Sequence, residues 1–104
     1  MFKSGTVVTA VTPVGEFIGK FVEFSNGILT LEKPKGVGQT QEGIGLMDGV
    51  CVSGKPRPEK VQFMNVVLIT DSNTEIANGY LQSIGGILTP PSIGNIDMSK
   101  LKLS

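Results

Sequence analysis

The strongest constraint on the fold is the excess of β-branched residues. The chain has 11 Val, 9 Ile and 8 Thr against only two Ala. β-Branched side chains lose rotamer freedom in helices and pack well on pleated sheets, so this composition favours strands. The sequence therefore predicts a mainly β protein, with its strands in the first 70 residues.

The length of the chain limits the number of domains and predicts association of subunits. A chain of 104 residues, 39% of them hydrophobic, can form one core and is too short for two. A domain of this size buries only about two thirds of its unfolded surface. We therefore expect subunits to associate.

Five apolar runs predict five antiparallel strands. Gly19 interrupts the second run and predicts a bulge or sharp bend, of the kind that curves a sheet into a barrel. Asn26 and Gly27 predict a tight hairpin turn, because both tolerate positive φ. The runs cover residues 6–12, 16–24, 28–32, 43–53 and 61–70.

The segments between the runs give further expectations. Residues 33–42 contain Pro34 and two glycines and predict a mobile connection that carries a small basic point, Lys33 and Lys35. Asp48-Gly49 predicts a bulge in the fourth run, or a hairpin turn that divides it. Residues 54–58 predict a turn. Residues 66–69 are apolar on both faces, so we expect something to cover them.

One helix is predicted after the last run. Ser72 and Glu75 have the spacing of a capping box, and Gly85 is a natural C-terminal stop. We interpret residues 87–104 as an extended arm. The chain thus divides into a β domain, 1–71, and a C-terminal helix and tail, 72–104. The apolar residues at helical spacing are Ile76, Tyr80, Leu81 and Ile84.

The sequence contains few of the residue combinations that catalytic sites require. The chain has no His, and its one cysteine, Cys51, is expected to be a small buried hydrophobe rather than a reactive thiol. The Gly36-x-Gly38 pair lacks the strand-to-helix context of a phosphate loop. We therefore expect a protein that is not an enzyme, with no cofactor and no metal. No signal peptide or membrane span is recognisable, which predicts a cytoplasmic protein.

Two polar turns have the most functional promise. They are Ser25, Asn26 and Gly27 in one, and Ser53, Gly54, Lys55 and Arg57 in the other. Polar side chains and backbone amides in turns can hydrogen-bond bases and phosphates, and Lys or Arg adds charge. The alternative for the first turn is that Asn-Gly simply makes a hairpin.

Two segments resemble motifs of the Sm/LSm/Hfq family. The segment GKFVEFSNGILTLEKP, residues 19–34, is similar to the first Sm motif, and GVCVSG, residues 49–54, is similar to the second. The resemblance covers residues 7 to about 69, and as a whole the chain looks like divergent Sm-like proteins of marine cyanophages. It implies a small, strongly bent, five-stranded antiparallel barrel over residues 1–71.

The chain departs from the family at three positions. Ser25 stands where Asp is usual, Gly27 where a base-stacking residue is usual, and Ser53 where Arg is usual. The candidate helix is C-terminal, whereas Sm proteins carry an N-terminal one. Lys55 and Arg57 can restore positive charge, and Asn26 can still donate and accept at a base edge.

The resemblance implies a homo-oligomeric ring. In Sm rings the fourth strand of one subunit pairs with the fifth of the next, which would bury Val66, Val67, Leu68 and Ile69 and gather the two turns around a central pore. This predicts a ring that binds RNA or single-stranded DNA without catalysis. Because the net charge is zero, a structural or adaptor oligomer, for instance in phage assembly, is the alternative. A monomeric peptide-binding barrel ranks last, because such grooves need exposed aromatics.

Overall fold

Residues 2–85 are described by the computed structural model, in which strands are followed by a single C-terminal helix. The predicted mainly β, antiparallel fold with a short C-terminal helix is confirmed. The described part has six strands where five were predicted, and the arm predicted at 87–104 lies outside it. The elements are β1 (Val7–Thr12), β2 (Gly15–Ser25), β3 (Ile28–Thr40), β4 (Gly43–Met47), β5 (Lys60–Phe63), β6 (Leu68–Asp71) and α1 (Thr74–Gly85).

The strands form one sheet in the order β4–β3–β2–β1–β6, and β5 also pairs with β3. Along one edge β3 thus has two partners in succession. Its residues 29–32 pair with β5, and its residues 36–40 pair with β4. Within residues 2–85, β5 and β6 each pair with a single strand, so the sheet stays open between them.

Gly19 makes the predicted bulge. The register between β2 and β3 shifts between the pairs Ile18–Lys35 and Lys20–Glu32, so Gly19 stands opposite both Lys33 and Pro34. Lys33 has a φ of 50°. A Cβ on Gly19 would lie 3.1 Å from the Cβ of Leu31 and 3.2 Å from the Cα of Pro34. The absent side chain therefore lets β3 bend closely against β2.

The β2–β3 hairpin has the predicted tight turn. Asn26 and Gly27 have φ angles of 53° and 77° between the paired residues Ser25 and Ile28. Two consecutive positive φ angles define the type I′ geometry that suits the right-handed twist of a hairpin. The turn is exposed at the end of the sheet.

The main hydrophobic cluster joins β1, β2, β3 and β5. The rings of Phe17 and Phe63 lie 5.0 Å apart, which links β2 to β5. Partly buried Val66 and Ile69 pack against this cluster, so these two members of the last apolar run are covered within the chain. The buried members are Val8, Ala10, Phe17, Phe21, Leu29, Leu31 and Phe63.

The predicted helix is present, but its cap is one residue later than expected. The Oδ1 atom of Asn73 accepts hydrogen bonds from the backbone N–H groups of Glu75 (2.9 Å) and Ile76 (3.4 Å). The Ser72 hydroxyl instead hydrogen-bonds the Thr9 hydroxyl at 2.8 Å. Asn73 therefore caps α1, while Ser72 joins the helix start to β1.

The prediction that residues 33–42 form a mobile connection is wrong. Residues 33–40 continue β3, and only residues 41 and 42 form a turn. Backbone pairing with β2 on one edge and β4 on the other holds this stretch in place. Because Gly36 and Gly38 carry no side chains, these residues lack the alternating pattern by which strands are recognised.

The fourth run is a strand only as far as Met47. Asp48-Gly49 makes neither a bulge nor a hairpin turn, and a loop over residues 48–59 begins there. Asp48 forms ion pairs with Lys35 and Arg57 at this point. The turn predicted at 54–58 lies within this loop. Cys51 is exposed, so the prediction that it is buried is wrong.

The fifth run is divided into β5 and β6. The break falls at residues 64–67, where Asn65 has a φ of 58°. The backbone N–H of Val67 then donates to the carbonyl of Val11 at 2.8 Å, which starts the pairing of β6 with β1. A single predicted strand therefore supplies two strands, β5 and β6, that each have one partner; within residues 2–85, β4 is likewise paired only with β3.

Candidate nucleic-acid interface

The predicted binding residues form two separate exposed groups. Ser25, Asn26 and Gly27 make the β2–β3 turn, and Ser53, Gly54, Lys55 and Arg57 lie in the loop over residues 48–59. The first group lies between the paired residues at the end of the β2–β3 hairpin. The second belongs to a loop that spans the interval between β4 and β5.

These groups lie at opposite ends of the β3–β5 ladder. Leu29, next to the hairpin turn, pairs with Phe63, the last residue of β5. At the other end the Lys33 N–H donates to the Glu59 carbonyl at 2.7 Å. The four residue steps from Leu29 to Lys33 span about 13 Å of strand. The single chain therefore does not bring the two predicted groups together.

The β5–β6 connection lies at the same end of the ladder as the Asn26 turn. Its residues Met64 and Asn65 directly follow Phe63 and are exposed. Neither residue is among the predicted binding residues, although Asn65 is the one polar residue that interrupts the apolar run from Phe63 to Ile69. The end of the sheet that carries Asn26 therefore offers a second amide side chain.

A basic groove of about 210 Å³ lies at the other end of the ladder. It occupies the point where β3 changes partner from β4 to β5, beside the bulge at Lys33. Lys33 and Lys35 of the predicted basic point meet Arg57 here, so the structure brings together cations that lie far apart in the sequence. The residues lining it are Lys33, Pro34, Lys35, Pro56, Arg57, Pro58, Glu59, Ser83 and Ile84.

An internal carboxylate occupies part of this basic environment. The Asp48 carboxylate pairs with the Lys35 ammonium through one oxygen and with Nε of Arg57, at 3.4 Å, through the other. The Lys35 side chain is only 12% exposed, whereas that of Arg57 is 83% exposed. The hydrogen bond and charge of Lys35, with a smaller contribution from Arg57, hold the pKa of Asp48 below its usual value.

The rest of the second predicted group lies outside the groove lining. Ser53, Gly54 and Lys55 are exposed in the same loop but do not line the groove. Of the predicted binding residues, Arg57 alone is a lining residue. The groove instead gains Lys33 and Lys35 from β3.

Apolar side chains are exposed at the edge formed by β6. Val67 is 66% exposed and Leu68 is 47% exposed. Leu68 pairs with Val11 of β1, and no strand within residues 2–85 pairs with the other edge of β6. An unpaired edge with apolar side chains is a template for pairing with another chain.

Helix α1 is too short to cross a membrane, and no other helix occurs in residues 2–85. No protein-family model matches the chain, and no curated protein sequence matches it.

Proposed function

We propose that this protein is a non-catalytic, Sm-like homo-oligomeric ring that binds single-stranded RNA. In the ring, β5 of one subunit pairs with β6 of the next. The observation that carries the proposal is that β5 and β6, two of the three strands with a single partner within residues 2–85, lie at opposite sides of one bent sheet. A head-to-tail contact between two different edges repeats by rotation and closes into a ring.

The bend and the order of the strands support this architecture. The sheet follows β6–β1–β2–β3–β5, with a bulge where Gly19 faces β3. Both edge strands come from the run over residues 61–70, so the intersubunit pairing predicted for strands 4 and 5 becomes pairing of β5 and β6. Val67 and Leu68 would lose their solvent exposure in such a contact.

The RNA-binding part of the proposal depends on repetition. Each subunit offers an exposed amide at Asn26 and a cationic groove at the opposite end of the β3–β5 ladder. A single copy of either has few contacts. Several copies on one ring bind one strand with a high effective concentration, so weak contacts combine into a useful affinity.

Native mass spectrometry tests assembly and binding together. The purified protein is measured alone and with a short uridine-rich oligoribonucleotide or its DNA equivalent. We expect one closed oligomer that takes up about one oligonucleotide per ring. Binding should weaken with rising salt, because phosphate contacts release counterions. A monomer would contradict the ring.

Two variants separate the two ends of the subunit. Asn26→Ala tests the hairpin turn, and the double variant Lys55→Ala, Arg57→Ala tests the loop over residues 48–59. Lys3→Ala is the matched control, because Lys3 is exposed and lies outside both places. We expect each test variant to weaken oligonucleotide binding and leave the ring intact. If both test variants bound the oligonucleotide as tightly as the wild type, the assignment of these residues to the binding site would be wrong.

The alternative function, a structural or adaptor oligomer, predicts a different result in the same experiment. Net charge zero disfavours nucleic-acid binding by the whole surface. A closed oligomer that ignores both oligonucleotides at low salt would identify an assembly or adaptor protein. The ring proposal would survive that outcome, and the RNA proposal would not.

A further inference from the structure

We propose that the groove over residues 33–35 and 56–59 is a phosphate-binding site, and that Asp48 acts as an internal competitor for it. The ligand class is any group with phosphoryl oxygens, either the backbone of a nucleic acid or a free phosphate compound. The inference goes beyond the proposed ring, because the groove is built within one chain.

The cations of the groove are placed for an anion. Lys33, Lys35 and Arg57 line it, and Glu59 is the only carboxylate among its lining residues. The Arg57 guanidinium uses Nε for Asp48, and within residues 2–85 its terminal nitrogens have no hydrogen-bond partner. A guanidinium presents its N–H groups in a planar fork that matches phosphate oxygens.

The walls of the groove are stiff. Pro34, Pro56 and Pro58 supply three of its lining residues, and each proline ring fixes its own φ. The Lys33 N–H is bonded to the Glu59 carbonyl, and the Lys33 carbonyl accepts from the Tyr80 hydroxyl at 2.7 Å. A site that is ordered before binding loses less entropy when its ligand arrives.

Asp48 already places two anionic oxygens against this site. Its carboxylate bridges Lys35 and Arg57, which is the arrangement that two oxygens of a phosphate would adopt. Asp48 is 40% exposed in its side chain, so it can turn away without unpacking the core. A phosphate must displace this carboxylate, which lowers the affinity of the groove and makes it selective for multiply charged ligands.

The test uses the full chain and inorganic tripolyphosphate at fixed ionic strength, followed by NMR chemical-shift titration of the backbone and Arg57 side-chain N–H signals. We expect shifts at residues 33–35 and 56–59. Asp48→Asn should bind tripolyphosphate about three- to tenfold more tightly, because the ion pairs of Asp48 with Lys35 and Arg57 no longer compete. Arg57→Gln should bind about fivefold more weakly or worse.

Two controls remove the effect of net charge. Glu42→Gln makes the same charge change as Asp48→Asn, but Glu42 is exposed in the β3–β4 turn and does not line the groove. Lys3→Gln matches Arg57→Gln in the same way. Thermal unfolding of each variant verifies that the chain is folded. If Asp48→Asn and Glu42→Gln bind equally, or if the groove signals do not move, the inference is overturned.

A second titration, with the single-stranded oligoribonucleotide in place of tripolyphosphate, identifies the ligand. When the single-stranded oligoribonucleotide shifts the same signals and Asp48→Asn tightens its binding, the occupant is a nucleic-acid backbone. When tripolyphosphate binds in this manner and the oligonucleotide does not, the groove serves a free phosphate compound. That second result supports the groove and contradicts the proposed RNA-binding function, so the two proposals fail separately.

Discussion

The hydroxyl of Tyr80 donates a 2.7 Å hydrogen bond to the carbonyl oxygen of Lys33. It also lies 3.2 Å from the carbonyl oxygen of Glu32. Tyr80 is fully buried, and Lys33 is the residue of positive φ in the β3 bulge. One side chain of α1 thus bonds the carbonyl of Lys33, a residue that is left out of the paired register of β3, and it ties the helix to one wall of the basic groove.

Tyr80→Phe should lower the free energy of unfolding by about 1–2 kcal/mol, because it removes the hydrogen bond that the fully buried Tyr80 side chain donates to the Lys33 carbonyl. Urea denaturation measures this change. Ser83→Ala on the same helix is the control: Ser83 is exposed and donates only to the Tyr80 carbonyl, so its loss should cost at most about 0.5 kcal/mol. Equal stability of Tyr80→Phe and wild type would show that the bond contributes nothing.

Alkaline pH should destabilise the protein through the same residue. Burial, with the nearby Glu32 charge, raises the pKa of Tyr80 from 10.0 to about 12. Below pH 10 both states keep the phenolic proton. Between pH 10 and 12 the unfolded chain releases it first, so stability falls as pH rises, by about 2–3 kcal/mol in all.

Tyr80 is the only tyrosine, so phenolate absorbance reports this titration directly. Denaturation across the same pH range gives the stability change, and Tyr80→Phe should remove the part that tyrosine causes. A titration midpoint near 10 in the folded protein would contradict the burial argument.

Features set by local chemistry were predictable from the sequence. The Asn26-Gly27 turn follows from the positive φ that both residues tolerate, and the bulge follows from a glycine inside an apolar run. Helix α1 follows from its spacing and cap, although the choice of Asn73 over Ser72 does not. Ser72 is instead engaged by Thr9, which lies far away in the sequence.

Features set by pairing of distant segments were not predictable. Residues 33–40 become a strand because β2 and β4 flank them, whatever their own pattern. The meeting of Lys33, Lys35 and Arg57 depends on the change of partner along β3 and on the path of the loop over residues 48–59. The sequence shows these cations but contains no local pattern that places them in one groove.

Gly19→Ala should destabilise the protein by about 1–3 kcal/mol. The new Cβ would crowd Leu31 and Pro34 and also lie 3.3 Å from the Glu32 carbonyl oxygen, and this backbone has little room to move. Gly79→Ala is the matched control in α1, where a Cβ meets nothing within 4 Å. It should stabilise the helix by about 0.5–1 kcal/mol. Thermal or urea unfolding of the two variants measures these changes in stability. If Gly19→Ala were as stable as the wild type, the close approach of β3 to Gly19 at the bulge would be contradicted.

A positive charge introduced at the β6 edge should dissociate the proposed ring into folded subunits. Val67 and Leu68 are exposed in the single chain, so Val67→Lys and Leu68→Lys cost little there, but a ring would have to bury the new ammonium groups. Light scattering after size-exclusion chromatography should show a monomer, with circular dichroism like that of the wild type. Val52→Lys changes another exposed valine, in the loop over residues 48–59, and should leave the oligomer unchanged. A ring that persists in both edge variants would show that the subunits do not associate through β6.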